Sequence, residues 1–313
     1  MGRVEMLPGI INPLEIEYTQ VSTRFEKEHG VLWTLLDANG VPCYTPGFLN
    51  EIGNHHAAIR NSGGSVWADG ELHRIRYSVV ASLTPGVFNL GGNLELFTKL
   101  IRNRDRESLL RYATLCIDVM YSRMNHFNLP LTTISLIQGD ALGGGLESAL
   151  VSDVIIAERG SKMGFPEILF NLFPGMGAYS LVARKIGAVH AEKMILSGNI
   201  YSAEELHELG LVDMVVERGE GEDAVHEFIR RQSRSSNGFL AVQRARQRVN
   251  PVSYEELMEI TTIWADAALE LTEKDVKVMD RLIRSQKKNF ETPAVMPFAI
   301  NPRRNDVAMV AAL

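Results

Sequence analysis

A chain of 313 residues with 45% hydrophobic and 22% charged residues has an ordinary globular mix, and it is long enough for one large domain or two smaller ones. Its 32 basic and 38 acidic residues leave a net charge of −6, which argues against nucleic acid as the main partner, because neutralising phosphates needs a basic surface. No apolar run of about 18 residues offers a membrane span, and two distant cysteines, Cys43 and Cys116, read as free thiols in a reduced, cytoplasmic compartment.

The N-terminal stretch "MGRVEMLPGIINPLEIEY" lacks the apolar core of a signal peptide, and Met6 stands where a myristoylation signal wants Ser or Thr. Alternation predicts strands in "LEIEYTQV" and "GVLWTLLDANG", the second closed by an Asn39-Gly40 turn. "TPGFLNEIGNHHAAIRN" has helical spacing, with Phe48, Ile52, Ala57 and Ile59 on one side. "IRYSVVASL" is a buried-type strand that runs into "TPGVFNLGGNLELF", a glycine-rich turn opening a helix. Residues 93–128 are helical with a break near "RNRDRES". "TTISLIQG" is again a strand, and it leads into "GDALGGGLESAL".

"DVIIAE" and "LVDMVV" are further strands, and "AYSLVARKIG" and "HAEKMILSG" are helices. Ser202-Ala-Glu-Glu205 and Ser253-Tyr-Glu-Glu256 both carry the spacing of a helix capping box. From Ser253 the chain is helical to about Lys288. Leu257, Ile260, Trp264, Ala268 and Leu271 form one apolar stripe, and Val276, Met279 and Ile283 form another. Residues 1–252 are therefore expected to form the core, 253–289 a helical C-terminal region, and 290–313 a flexible tail. Strands alternating with helices predict an α/β fold with much parallel pairing.

Two junctions, Leu90-Gly91-Gly92-Asn93 and Gly143-Gly144-Gly145, each follow a strand and precede a helix. The first N–H groups of a helix have no intrahelical partner, and glycine lets another molecule approach them closely. Brought together, two such turns would aim two N–H donors at one oxygen, as an oxyanion hole does. Taken alone, each is most often just a turn. Glu147 falls in the helix after the second turn, and Glu167 sits among Phe165, Ile168, Leu169 and Phe170. Burial in such surroundings raises a glutamate's pKa toward neutrality, where it exchanges protons well. Either glutamate alone reads better as a surface or salt-bridged carboxylate, and the glycine turns reverse that preference. No cysteine–histidine spacing suits a metal, and no phosphate loop is present.

With these residues in view, "VFNLGGNL", "ALGGGLESAL", "GFPEILFNLFPGMGAYS" and "SGNIYSAEELHELGLVDMVV" together resemble the crotonase (enoyl-CoA hydratase/isomerase) superfamily, over roughly residues 75–220. "FNLGGNLELF", "LFPGMGAYS" and "IWADAALELTEKDVKVMDRLIRSQ" resemble more narrowly the diffusible signal factor synthases, which make cis-2-unsaturated fatty-acid signals used in quorum sensing. The resemblance implies a crotonase-like spiral of ββα units with a helical C-terminal region, assembled as a homotrimer or dimer of trimers. It implies that Gly92 and Gly144 are the oxyanion-hole donors and that Glu147 and Glu167 are the acid/base pair. It also implies that Leu90, Met176, Trp264 and Leu282 line the acyl pocket, although Trp264 and Leu282 also read as core stripe positions and Met176 as a gap filler. Asn93 stands where the family commonly has Asp, next to the first donor.

The leading expectation is dehydration of a 3-hydroxyacyl thioester with release of the free cis-2-enoic acid. Glu167 is assigned the α-proton and Glu147 the leaving hydroxyl, an assignment that can be swapped because the pair shares protons with water. The carrier is acyl-carrier protein or CoA, with no bound cofactor and no metal. The alternative is a generic enoyl-CoA hydratase or isomerase using the same residues. A third reading is a catalytically silent partner of a sensor protein.

Overall fold

The computed structural model of the chain describes residues 11–291. Among the described residues, twelve stretches form strands. β1 (Val21–Glu26), β2 (Val31–Leu36), β5 (Tyr77–Ser82), β7 (Thr132–Ile137), β9 (Val154–Glu158) and β12 (Met214–Val216) make one six-stranded sheet in that order. β1 and β2 are antiparallel, and every other neighbour in that sheet is parallel. The central strands are buried along their whole length, so their side chains do not alternate between core and solvent.

A second sheet of four short strands runs β11 (Ile200–Ser202), β10 (Lys162–Gly164), β8 (Gly139–Leu142) and β6 (Gly86–Asn89). β3 (Ser65–Ala68) and β4 (Glu71–Arg74) form a separate hairpin. The chain alternates between the two large sheets: β5 then β6, β7 then β8, β9 then β10. A helix follows each of the first two pairs: α2 (Leu94–Arg102) and α3 (Arg106–Met124) after β6, and α4 (Gly144–Leu150) after β8. These are the repeating ββα units of a spiral, so the α/β fold with a helical C-terminal region stands as expected.

α1 (Pro46–Asn61) starts on Thr45, whose hydroxyl accepts from Phe48 N–H, with Pro46 as its first residue. α5 (Ala178–Ile186), α6 (Ala188–Ser197) and α7 (Ala203–Glu208) follow the small sheet. Ser202 and Glu205 close a full capping box on α7. α8 (Gly221–Ser233) covers one face of the six-stranded sheet, burying Val225 and Ile229 against Trp33, Val79 and Ile134, and α9 (Ser236–Val249) follows it. α10 (Tyr254–Leu269) lies on α3, and α11 (Glu273–Glu291) lies on α2. Ser253 caps α10, but the Glu256 carboxylate does not complete a capping box. It is taken instead by Arg184 and Ser180.

The sequence misleads at several places. "LEIEYTQV" is not a strand. The Thr19 and Gln20 amides donate to the Glu51 carboxylate, so the segment has side-chain partners where a ladder would need strand partners. The first strand begins at Val21 instead. The β3–β4 hairpin and the short strands β6, β8 and β10 were not anticipated. Of the tail expected at 290–313, Phe290 and Glu291 belong to α11, and the rest lies outside the described residues. Among the described residues, no helix is long and apolar enough to cross a membrane, and both cysteines are unpaired.

Candidate active site

The two glycine turns meet because of strand order. β6 and β8 are parallel neighbours, with Asn89 opposite Ala141, so the turns that follow them leave the sheet at the same end. A methyl group on Gly91 would sit 2.8 Å from Gly144 N, and one on Gly144 would sit 3.5 Å from Gly92 N. Gly91 (φ +90°) and Gly143 (φ +52°) hold left-handed backbone that a side chain would strain, and at Gly143 a methyl would also strike Glu167 Oε1. Gly144 is the first residue of α4, so its N–H has no carbonyl within the helix. Among the described residues, neither the Gly144 N–H nor the Gly92 N–H has a hydrogen-bond partner.

The first turn is braced from outside. Gly91 N–H donates to Asn89 Oδ1 at 2.7 Å, and Tyr44 N–H donates to Gly91 O at 2.8 Å. The Tyr112 hydroxyl accepts from Asn93 N–H at 3.2 Å and donates to Tyr44 O at 2.5 Å. Asn93 itself is the N-cap of α2, its Oδ1 accepting from Leu96 N–H at 3.0 Å. Asn and Asp serve this position equally, which is why the departure from the family's usual Asp leaves the turn intact.

Glu147 is 1% exposed. Its Oε1 accepts from Met176 N–H and from Ala178 N–H, each at 2.9 Å. Ala178 is the first residue of α5, so the carboxylate caps a helix start, where the dipole favours negative charge. Burial raises the pKa of Glu147 to about 7 against the pull of these two amides. Glu167 is half-buried as a residue, yet its Oε2 is sealed from solvent and has no hydrogen-bond partner. Burial, and then the neighbouring Glu147 charge, push it up to about 8. A sealed oxygen without a donor suits a carboxyl group that keeps its proton.

Both glutamates, Gly92 and Gly144 line one cavity of about 250 Å³. Leu90, Met176, Trp264 and Leu282 line it too, so all eight residues picked from the sequence share it. Trp264 lies over Gly175, where no Cβ would fit, and meets Phe97 edge-on at 5.1 Å between ring centroids. Phe97 in turn packs on Gly92. Met176 contributes its main-chain N–H to Glu147 as well as its side chain to the wall, a role that no residue type announces. Phe97, Tyr44, Cys116 and Arg123 also line the cavity and were missed. The signal for Arg123 was a charge on the otherwise apolar α3 face of Tyr112, Cys116 and Met120. Burial pushes the Cys116 thiol up to about 12, so it is a wall and not a nucleophile. Among the described residues, no group of His, Cys, Asp and Glu could hold a metal ion.

Known proteins resemble the chain in sequence and in fold. The family model "Enoyl-CoA hydratase/isomerase" matches residues 71–292. The chain is 28% identical over 190 residues to the mitochondrial methylglutaconyl-CoA hydratase of Rattus norvegicus, covering 61% of this chain and 57% of that relative's length. Human mitochondrial delta3-delta2-enoyl-CoA isomerase superposes with a TM-score of 0.69 at 16% identity, over 87% of this chain and 99% of the other. Pseudomonas aeruginosa DspI superposes with a TM-score of 0.57 at 22% identity, over 87% and 96% respectively. At these identities the two superpositions speak to the fold alone.

Proposed function

The chain belongs to the enoyl-CoA hydratase/isomerase family, and from that premise we propose that it adds water reversibly across the α,β double bond of an acyl thioester. One observation carries this reading: the two glutamates are held unequally, so that Glu147 is the one suited to ionise first. Glu147 has two amide donors for its charge and loses its proton first, while Glu167 has none on Oε2 and keeps its proton longer. That is the state from which hydration starts.

Anionic Glu147 takes a proton from water as its oxygen bonds to the β-carbon. The π electrons move toward the thioester oxygen, held between Gly92 N–H and Gly144 N–H. The enolate then collapses and the α-carbon takes the proton of Glu167. Dehydration is the reverse, with Glu167 accepting the α-proton and Glu147 protonating the leaving hydroxyl. The two roles assigned from sequence are thus those of the elimination direction. Supplying an enoyl thioester and its 3-hydroxyacyl counterpart and following water addition and loss tests the proposal. Loss of activity in both directions in Glu147→Gln is expected, and an unaffected variant contradicts it.

A second, narrower reading is that the enzyme also hydrolyses the thioester and releases a cis-2-unsaturated fatty acid. What favours it is that Met176, Trp264 and Leu282, implied by the resemblance to signal synthases, all line the cavity. Mass spectrometry of the product separates the readings: a free acid supports the second, a retained thioester the first. The carrier, CoA or acyl-carrier protein, is proposed on the same footing. So is a trimeric assembly, supported by exposed apolar side chains at Leu169, Val189, Leu196 and Ile200. A cytoplasmic location and a sensor partner rest on the sequence resemblance and composition.

A further inference from the structure

The cavity does not end at the glutamates. It runs inward along α3, past Cys116 and Met120, to Arg123 between α1 and the six-stranded sheet. From Tyr112, which braces the first glycine turn, to Arg123 the helix axis rises about 16 Å. The walls between are apolar: Leu49, Ile52, Val80 and Val119. The far end is not. Arg123 is 5% exposed, and its guanidinium donates to Ser152 Oγ, Ser78 Oγ, Ser78 O and Ile134 O at 2.8–3.1 Å.

All four acceptors are neutral. Among the described residues, no carboxylate forms an ion pair with Arg123. Asp153 acts on it only from a distance, because its own oxygens are bonded to His126, Arg246 and Thr133. His56, also at this end, is held neutral: burial, and then the neighbouring His55 and the Arg123 cation, keep its pKa well below the ordinary value. A buried charge is ordinarily met by an opposite one, since neutral dipoles alone repay its desolvation poorly. Burial lowers Arg123 only to about 10, so it stays a cation at neutral pH.

We propose that this inner end is an anion subsite, in which Arg123 receives a carboxylate at the far end of the acyl chain. The preferred substrate is then the monothioester of an α,ω-dicarboxylic acid. The inference rests on the acyl-thioester reading of the cavity and narrows its substrate class. Arg123 is a specificity residue here, remote from the reacting carbons.

The test is calorimetric titration of the whole chain with saturated N-acetylcysteamine monothioesters of diacids, from adipic to dodecanedioic, and with the plain acyl thioesters of equal length. At the best-fitting length the diacid form is expected to bind about tenfold tighter or more, the scale of a charge-assisted hydrogen bond. Equal or tighter binding of the plain chain at every length overturns the proposal, and so does failure of the whole series to bind. Arg123→Met gives up four internal hydrogen bonds, so its fold is checked first by circular dichroism. In a folded variant the diacid advantage disappears, while the wild-type comparison stands without it. Turnover of the 3-hydroxy forms is measured in parallel. Tight diacid binding without turnover keeps the subsite and removes the hydratase reading. Turnover of plain chains without diacid preference does the opposite.

Discussion

The main-chain N–H of Met176 donates to Glu147 Oε1 at 2.9 Å, tying the start of α5 to the first turns of α4. A second amide, Ala178, shares the same oxygen, so only Oε2 is left to exchange a proton. This fixes the carboxylate beside the two free glycine amides without consuming its reactivity. An amide oxygen can accept the same two bonds. Glu147→Gln is therefore expected to keep the fold and lose roughly 10²–10⁴ in kcat, the usual worth of a general acid–base group. Steady-state kinetics with circular dichroism checks both halves.

The pH profile follows from the order of ionisation. Hydration needs Glu147 ionised and Glu167 protonated, so the rate falls below about 7 and above about 8. The apparent values belong to the pair, because each charge moves the other's proton. A rate that stays flat across roughly pH 5 to 10, a window that lies above the ordinary glutamate value and contains both folded ones, would contradict the buried-pair description.

The same shift has a signature in stability. Unfolded, Glu147 ionises near its ordinary 4.5, but folded it waits until about 7. Stability that is fully present below the unfolded value is lost as pH rises through the folded one. Glutamine carries no such penalty. Glu147→Gln should gain on wild type between pH 4.5 and 7, by on the order of 3 kcal/mol at most. Thermal melts of both proteins across this range should show the gap widening with pH.

Gly91→Ala tests the convergence of the turns. Its methyl would stand 2.8 Å from Gly144 N and from Leu142 O, and its φ of +90° disfavours a side chain. The turns must part, and kcat should fall by roughly 10²–10³, as when an oxyanion-hole donor is lost. Near-normal turnover in this variant would mean that the two amides do not share an oxygen.

Asn93 offers a contrasting, mild change. As the N-cap of α2 it can be replaced by Asp with little effect on melting or activity, while Asn93→Ala should cost about 1 kcal/mol. Urea titrations of the two variants separate a cap from a catalytic group.

How much of this could be read from the residues depended on segment length and on chemistry. β5, β7 and β9 were legible because each is a run of five or six residues built around β-branched Val, Ile or Thr and bounded by turns. β6, β8 and β10 have three or four residues, too few to show a period. Glycines and glutamates announce a site by their type. The Met176 amide does not, since every residue but proline has one. That Gly92 and Gly144 meet depends on β6 lying beside β8, a pairing no local pattern encodes. Arg123 was visible only as a charge on an apolar helix face, and its meaning required seeing four neutral acceptors around it.

The central claim is that Glu147 moves a proton to or from a thioester-bound acyl group held by the two glycine amides. It is tested most directly by mixing an enoyl thioester with the enzyme in oxygen-18 water and following the label into the 3-hydroxyacyl product by mass spectrometry. Labelled product is expected with wild type, and its rate is expected to fall by roughly two orders of magnitude or more with folded Glu147→Gln. Equal labelling rates in the two proteins, or no labelled product with wild type, would contradict it.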